Sequence, residues 1–323
     1  FVDLDDAREK ALNIALNKIN GEWDLPLLKD LLLEIDTGEI DIELTGFEMP
    51  EIEELMNQFH IEGEEDNFNV DEAVEEIKEP TTKTGDIWLL GKHRVMCGDS
   101  TKREDVERLM DGEKADMVFT DPPYGMSLNT DWSSAKPSSK FAKEKNVISG
   151  KKYRPVIGDN EDFVPVLITS VFDNFSYCDE IFLWGADYYS ELLINRNSGS
   201  WLVWDKRIDE SMDKMYGSCF ELCWSKNKHK REIIRVRWAG IFGTEQEFDH
   251  KRFHPTQKPI KLAEWFINKF SKKDDIIIDL FLGSGSTLIA CEQTNRICYG
   301  MEIDPIYCDV IVKRWEEYTG KKA

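Results

Sequence analysis

The residues of this chain whose types and spacing could do chemistry fall into two clusters. One is the run Ile276-Ile-Ile-Asp279-Leu-Phe281-Leu-Gly283-Ser284-Gly285-Ser286-Thr287, which reads as a buried strand passing through a glycine turn into a helix. Gly283 and Gly285 let backbone approach a ligand closely, and the start of the helix offers unpaired N–H groups. Roughly 20 residues further on, the next strand ends in Glu302, where a carboxylate can accept both hydroxyls of a ribose. The two features describe a site for an adenosine-containing cofactor. A dinucleotide fingerprint would carry a third glycine where Leu288 stands, so close passage of a pyrophosphate is disfavoured.

The second cluster is Asp121-Pro122-Pro123-Tyr124-Gly125, directly after the apolar strand Asp116 to Thr120. Two prolines hold the chain extended, so the Asp121 side chain and the Pro122 carbonyl can converge as acceptors beside the flat ring of Tyr124. That is a receptor for a planar group bearing NH2.

These clusters need elements to position them. Residues 86–97 read as two short strands about a Gly91-Lys92 turn, followed by a helix over 102–110. Strands are expected at Asp116 to Thr120, Glu180 to Trp184, Trp201 to Asp205, Phe220 to Trp224, Ile276 to Phe281 and Ile297 to Glu302. Helices are expected near 161–175, 258–271, 286–294 and 305–318. Alternating strands and helices are the pattern of a mostly parallel α/β sheet. Upstream, Ala7, Ala11, Ile14, Ala15 and Ile19 keep helical spacing, and Leu25 to Ile35 reads as a second amphipathic helix. From Glu48 to Pro80 there are 13 acidic residues and one lysine, read as a solvated helical tether.

The chain has 323 residues and a formal charge of −22, which taken whole argues against a nucleic-acid partner. The acidity is local, however. Residues 1–80 hold 25 acidic and 5 basic side chains, and the remaining 243 hold 38 and 36, nearly neutral. Two basic segments stand out there: Lys136, Lys140, Lys143, Lys145, Lys151, Lys152 and Arg154, and Lys226, Lys228, Lys230, Arg231, Arg235 and Arg237. A phosphate backbone remains open as a partner. Seven cysteines, mostly in apolar stretches, point to a reducing cytoplasm, and every apolar run is shorter than the ~20 residues of a membrane helix. The chain begins at Phe1, which suggests a fragment or a trimmed form.

In the order of its motifs the sequence resembles the amino methyltransferases of DNA that use S-adenosylmethionine, in their permuted β-class arrangement: Asp121-Pro-Pro-Tyr124 first, a target-recognition segment at about 225–253 next, the Asp279 to Thr287 motif last. The resemblance covers about residues 86–320. It implies a Rossmann-like α/β three-layer sandwich, circularly permuted, with a small helical N-terminal unit. Domains are expected at 1–47 (a helical remnant resembling the end of a ParB-like region, on Ala11 to Ile19 and Gly46-Phe47), 48–84 (tether) and 85–323 (methyltransferase, with a basic loop at 126–156). His254-Pro-Thr256-Gln257-Lys258-Pro resembles the segment that holds the methionine end of the cofactor, and Gly98-Asp99-Ser100 the acidic motif beside its adenine. Phe182 to Gly185 and Trp201 to Lys206 resemble further family strands.

The resemblance therefore implies cofactor contacts from Asp99, Thr256, Gln257, Lys258, Asp279, Phe281, Gly283, Ser284, Gly285, Ser286, Thr287 and Glu302, and catalysis by Asp121, Pro122, Pro123 and Tyr124. The target base would be flipped from duplex DNA, stacked on Tyr124 and bound through its amino group, with direct in-line transfer of the methyl. Lys136, Lys151, Lys152, Lys226, Lys228, Lys230 and Arg231 are the expected DNA contacts. Adenine is the expected base because the motif begins with Asp, with 4-amino transfer to cytosine as the alternative. Enzymes that methylate a cytosine ring carbon use a Pro-Cys nucleophile, and no cysteine here follows a proline. A noncatalytic DNA-binding adaptor of the same fold and a dinucleotide oxidoreductase are the rivals. A homodimer is open. No metal is expected: Cys219, Cys223 and His229 lack a convincing fourth ligand and read as structural, and His93 and His250 read as surface residues.

Overall fold

A computed structural model of the protein describes residues 12–14, 28, 45–47, 65–128, 130, 154–207, 218–236 and 257–323. The chain divides into two compact units, Phe1–Gly63 and Glu64–Ala323. In the first, residues 12–14 and Leu28 are helical, and Ile14, Leu28 and Thr45 are buried, in line with a small helical unit.

The second unit is built on a mixed sheet, nine-stranded among the described residues. Helix α1 (Val70–Glu76) precedes the hairpin β1 (Ile87–Leu90) and β2 (His93–Cys97); α2 (Arg103–Met110), β3 (Met117–Thr120), α3 (Val164–Phe175) and β4 (Glu180–Trp184) follow. Then come β5 (Ser200–Asp205), β6 (Phe220–Ser225), β7 (Ile233–Arg235), α4 (Ile260–Phe270), β8 (Ile276–Asp279), α5 (Ser286–Gln293), β9 (Ile297–Glu302) and α6 (Pro305–Thr319). The strand order is β1-β2-β9-β8-β3-β4-β6-β5-β7. The run from β2 to β4 is parallel throughout, while β1 and β6 are antiparallel to their neighbours.

The near-continuous apolar runs of β3, β4 and β8 are what a parallel strand covered on both faces requires. One face packs on α2 and α3 through Val106, Leu109, Ile168 and Phe172, and the other on α4, α5 and α6 through Phe266, Leu288, Ile311 and Trp315. The result is three layers. Because β2, β3, β4, β8 and β9 run the same way, their carboxyl ends, at Cys97, Thr120, Trp184, Asp279 and Glu302, meet along one edge of the sheet. That is the edge where open α/β sheets bind ligands.

The sequence-derived strands and helices recur close to their expected limits, with three differences. Strand β7 lies within the segment expected to read DNA, and pairs in parallel with β5; three residues with a single buried side chain give too short a pattern to detect. His93 is buried rather than superficial: its Nδ1 accepts from the Cys298 amide at 2.9 Å, so its Nε2 carries the hydrogen donated to Glu292 at 2.8 Å. His250 lies outside the described residues.

The third difference is at the expected tether. From residue 65 onward the chain packs on the helices and sheet of the second unit. Glu65 accepts from the amides of Ile260 and Lys261 at the start of α4, at 3.1 and 3.0 Å. Asp66 forms a two-point pair with Arg314 at 2.5 and 2.8 Å, the side chains 7% and 0% exposed. Phe68, Val70 and Ala73 pack on Val310, and Asp309 accepts from the amides of Thr81 and Thr82. Acidic residues look solvated in a sequence because a charge seldom tolerates burial; here a helix N-terminus and a buried guanidinium compensate them.

Asp66→Ala should cost about 3–5 kcal/mol in urea unfolding, because it strands a buried guanidinium, and pairing it with Arg314→Met should recover much of the loss.

Candidate active site

Asp121, Pro122, Pro123 and Tyr124 leave the end of β3 and line a cavity of about 380 Å3, within the range of small-ligand sites. The residues after β2 (Gly98, Asp99, Ser100), the turn after β8 (Leu280, Phe281, Gly283, Ser284) and the end of β9 (Glu302, Ile303, Asp304) line the same cavity.

Asp279 lies behind the cavity wall, beneath the turn after β8. Its carboxylate, 4% exposed, accepts from the Thr120 and Thr287 hydroxyls at 2.7 Å each and from the Phe281 amide at 3.1 Å. Burial pushes its pKa up to about 6. Gly283 and Gly285 both take positive φ, 54° and 86°, which the tight turn into α5 requires. Arg314 donates to the Ser284 carbonyl at 2.9 Å and fixes the turn from below.

Glu302 is held by two amides, Gly283 N on Oε2 at 2.8 Å and Asp304 N on Oε1 at 2.9 Å. Each oxygen keeps room for another donor. Burial raises its pKa to about 7. Asp304 caps α6 and pairs with Arg154 at 2.7 Å, which ties the end of the 126–156 segment to the cavity wall. Gln257 also lines the cavity, 6% exposed, and its side-chain oxygen and nitrogen have no hydrogen-bond partner among the described residues. Unpaired buried amide groups are costly and here face a space that a ligand can fill.

At the other end of the cavity Asp121 Oδ1 accepts from the Tyr124 hydroxyl at 2.7 Å, and Asp121 Oδ2 lies 2.6 Å from Lys258 Nζ. Lys258 also reaches Glu221 Oε2 at 3.0 Å, and Lys206 holds Glu221 Oε1. Carboxylates and ammonium groups therefore alternate. Burial raises the Asp121 pKa against the pull of Lys258. Burial also works against the Glu221 carboxylate, but Lys258 and Lys206 outweigh it and bring the pKa to about 2. For Lys258 the two carboxylates outweigh burial and keep the ammonium charged well beyond the usual lysine range. The Tyr124 ring stacks on Tyr188 with centroids 5.2 Å apart and planes 11° apart. Asp159 takes the amides of Gly125, Met126 and Leu128, which fixes the chain as it leaves the Pro-Pro-Tyr segment.

Of the residues singled out from the sequence, Asp99, Asp121, Pro122, Pro123, Tyr124, Gln257, Lys258, Phe281, Gly283, Ser284 and Glu302 reach the cavity. Asp279, Gly285, Ser286 and Thr287 do not line it; Asp279 and Thr287 bond each other beneath the turn. Lys258 stands on the Asp121 carboxylate, at the end of the cavity expected for the base. Lys226, Lys228, Lys230 and Arg231 are not brought to it. Because β6 runs antiparallel to β4, its carboxyl end and the turn after it lie at the opposite edge of the sheet, and the Lys226 ammonium binds the Ser176 and Cys178 carbonyls after α3. Thr256, Lys136, Lys151 and Lys152 lie outside the described residues, as do most of 126–156 and all of 237–253. Lys206, Glu221, Arg154, Asp159 and Gly185 were not expected. The signal for Glu221 was an acid inside the otherwise apolar stretch Phe220 to Trp224.

The parallel run of the sheet thus brings Glu302 and the Gly283 turn into one cavity with Asp121, Pro122 and Tyr124. A family model described as DNA methylase, of the N6 and N4 amino type, matches residues 145–313, and the chain belongs to that family. The match begins after Tyr124. A second model, the ParB-methyltransferase HTH domain, matches residues 26–84. Among curated relatives, the Type II methyltransferase M2.MboI of Moraxella bovis is 28% identical over 130 residues, 38% of this chain and 42% of the relative. M.HpaI of Haemophilus parainfluenzae is 35% identical over 101 residues, 29% of this chain and 32% of the relative. The chain thus spans less than half the length of these relatives. Among solved structures, the M1.HpyAVI–SAM complex aligns over 68% of this chain and 97% of that one, at 20% identity and a TM-score of 0.42. No described helix is long and apolar enough to cross a membrane.

Gly185, with φ 63°, packs directly against Tyr124: a Cβ there would lie 2.1 Å from the ring. Gly185→Ala should therefore displace Tyr124 and cost about 1–3 kcal/mol in denaturant unfolding, with the ring shift visible in a crystal structure of the variant.

Proposed function

We propose that the chain is a site-specific DNA methyltransferase that moves the methyl of S-adenosylmethionine to the 6-amino group of adenine in duplex DNA, in the cytoplasm, as the modification partner of a restriction system or alone. The observation that carries this reading is the joining, in one cavity, of Glu302 and the Gly283 turn with Asp121, Pro122 and Tyr124. The residues fit the cofactor: Glu302 retains acceptor capacity on both oxygens for ribose hydroxyls, Asp99 lines the same cavity and would take the adenine, and the unpartnered Gln257 amide suits the polar methionine end. When bound, the cofactor supplies an electrophilic methyl group.

The chain's own residues hold the base. Asp121 and the Pro122 carbonyl accept from the amine and turn its lone pair toward the methyl. The Asp121 carboxylate is fixed before the base arrives by Tyr124 and Lys258, and the residue before it, Thr120, is tied to Asp279. Methylation would leave the amine with an extra proton, which the Asp121 carboxylate can accept or pass to water. No nucleophilic cysteine is needed. A base stacking on the Tyr124 face that Tyr188 now covers must displace Tyr188, which is 53% exposed and free to move outward. Asp at the head of the motif favours adenine over cytosine.

Nucleosides from DNA methylated by the chain, read by mass spectrometry, should contain 6-methyladenine. A product of 4-methylcytosine would replace the base but keep the mechanism, and 5-methylcytosine would refute both. Asp121→Ala should abolish turnover and leave cofactor affinity within about twofold, because its acceptor acts on the base.

Glu302 gives a second test. Its raised pKa means that the cofactor-free protein favours the protonated acid: this contribution to stability is full below about pH 4.5 and is lost as pH rises through about 7. Ribose hydroxyls need the carboxylate, so binding releases a proton in that window. Calorimetry between pH 5.5 and 7 should show affinity rising by up to about tenfold per unit and levelling near 7. Glu302→Gln should bind more weakly at pH 7, with a flat profile.

A further inference from the structure

Lys258 has a side chain 14% exposed, with its ammonium 2.6 Å from Asp121 Oδ2, 3.0 Å from Glu221 Oε2 and 3.3 Å from the Tyr124 hydroxyl, near the rings of Tyr124 and Trp184. The charge is therefore placed beside the acceptor for the base amine, and the neighbouring Gln257 is the residue left unpaired in the same cavity.

A base offers more than its amine. In adenine the 6-amino group is flanked by the ring nitrogens N1 and N7, and in cytosine the 4-amino group is flanked by N3, each with a lone pair. Guanine and thymine carry a carbonyl oxygen in place of the amine. A carboxylate side by side with an ammonium is complementary to a donor beside an acceptor, and mismatched to the reverse. Lysine alone would be a poor reader, since its stem is flexible. Here Glu221 holds it from the far side, and Lys206 neutralises the other Glu221 oxygen, so Lys258 keeps an anionic partner when Asp121 turns to the amine.

We propose that Lys258, anchored on Glu221, donates to the ring nitrogen flanking the target amine while Asp121 accepts from the amine, so that the pair reads the flipped base as an amine next to a ring lone pair. Glu221 is a positioning residue, and it acts through Lys258. This rests on the amino-transfer reading above and assigns Lys258 to the substrate in place of the cofactor.

The test begins with purified full-length chain and unmodified DNA, the target base being located by sequencing modified bases. Duplexes are then made with that base replaced by 1-deazaadenine or 7-deazaadenine, or by 3-deazacytosine if the product is 4-methylcytosine. The wild type should methylate one deaza analogue at least about tenfold less efficiently in kcat/KM than the natural base. Lys258→Met should lower kcat/KM on the natural base and level that difference, Lys258→Arg should restore part of it, and Glu221→Gln should weaken the discrimination more than Glu221→Asp. S-adenosylmethionine affinity by calorimetry should stay unchanged in all four. Equal rates of the wild type on every analogue would overturn the proposal, as would discrimination that survives Lys258→Met or cofactor affinity that falls with turnover. Absence of any methylated amine with the wild type would instead overturn the functional reading itself.

Discussion

The Asp279 carboxylate sits where three elements converge, and the geometry of the cavity depends on it. By accepting from Thr120, Thr287 and the Phe281 amide it joins the end of β3, the end of β8 and the first turn of α5. Asp121 follows Thr120 directly and the Gly283 turn follows Phe281, so one buried group sets the spacing between Asp121 and the Gly283 wall of the cavity. A buried carboxylate bonded by two hydroxyls and an amide is held without a counterion, and its pKa, raised to about 6, records what desolvation still costs it.

The Asp121 end of the cavity solves a different electrostatic problem. Asp121 and Glu221 would repel each other and resist burial, but Lys258 lies between them and Lys206 closes the row. The set is neutral overall, and each charge has its partner within reach. Breaking any one member leaves an uncompensated charge, whereas the intact row is stiff enough to present an acceptor and a donor at fixed separation. The rings of Trp184 and Tyr124 confine the ammonium further, and Gly185 exists as glycine because Tyr124 occupies the space of a side chain.

Charge along the chain is a poor guide to where charge acts in space. Lys226, Lys228, Lys230 and Arg231 form a basic run in the sequence, yet the antiparallel course of β6 carries them to the edge away from the cavity, where Lys226 serves the carbonyls at the end of α3. Conversely, Glu65 and Asp66 belong to the most acidic stretch and look solvated, but one caps α4 and the other neutralises Arg314, which in turn holds the turn at Ser284. In both cases the direction of a strand or the position of a helix end decides the role.

The sequence by itself determined the strands, because apolar runs such as Met117 to Phe119 and Ile276 to Ile278 can satisfy burial on both faces only inside a covered sheet. It also determined the polar and glycine-bearing ends of those strands, since Asp121-Pro-Pro-Tyr124, the Gly283 and Gly285 turn and Glu302 are set by local backbone geometry. Only the tertiary structure decided which polar residues work together. Lys258 and Asp121 are 137 positions apart and Glu221 lies between them in the chain, so no period or motif links them. Their pairing follows from β3 and β6 flanking β4 and from α4 packing across the sheet, and burial then makes that pairing obligatory.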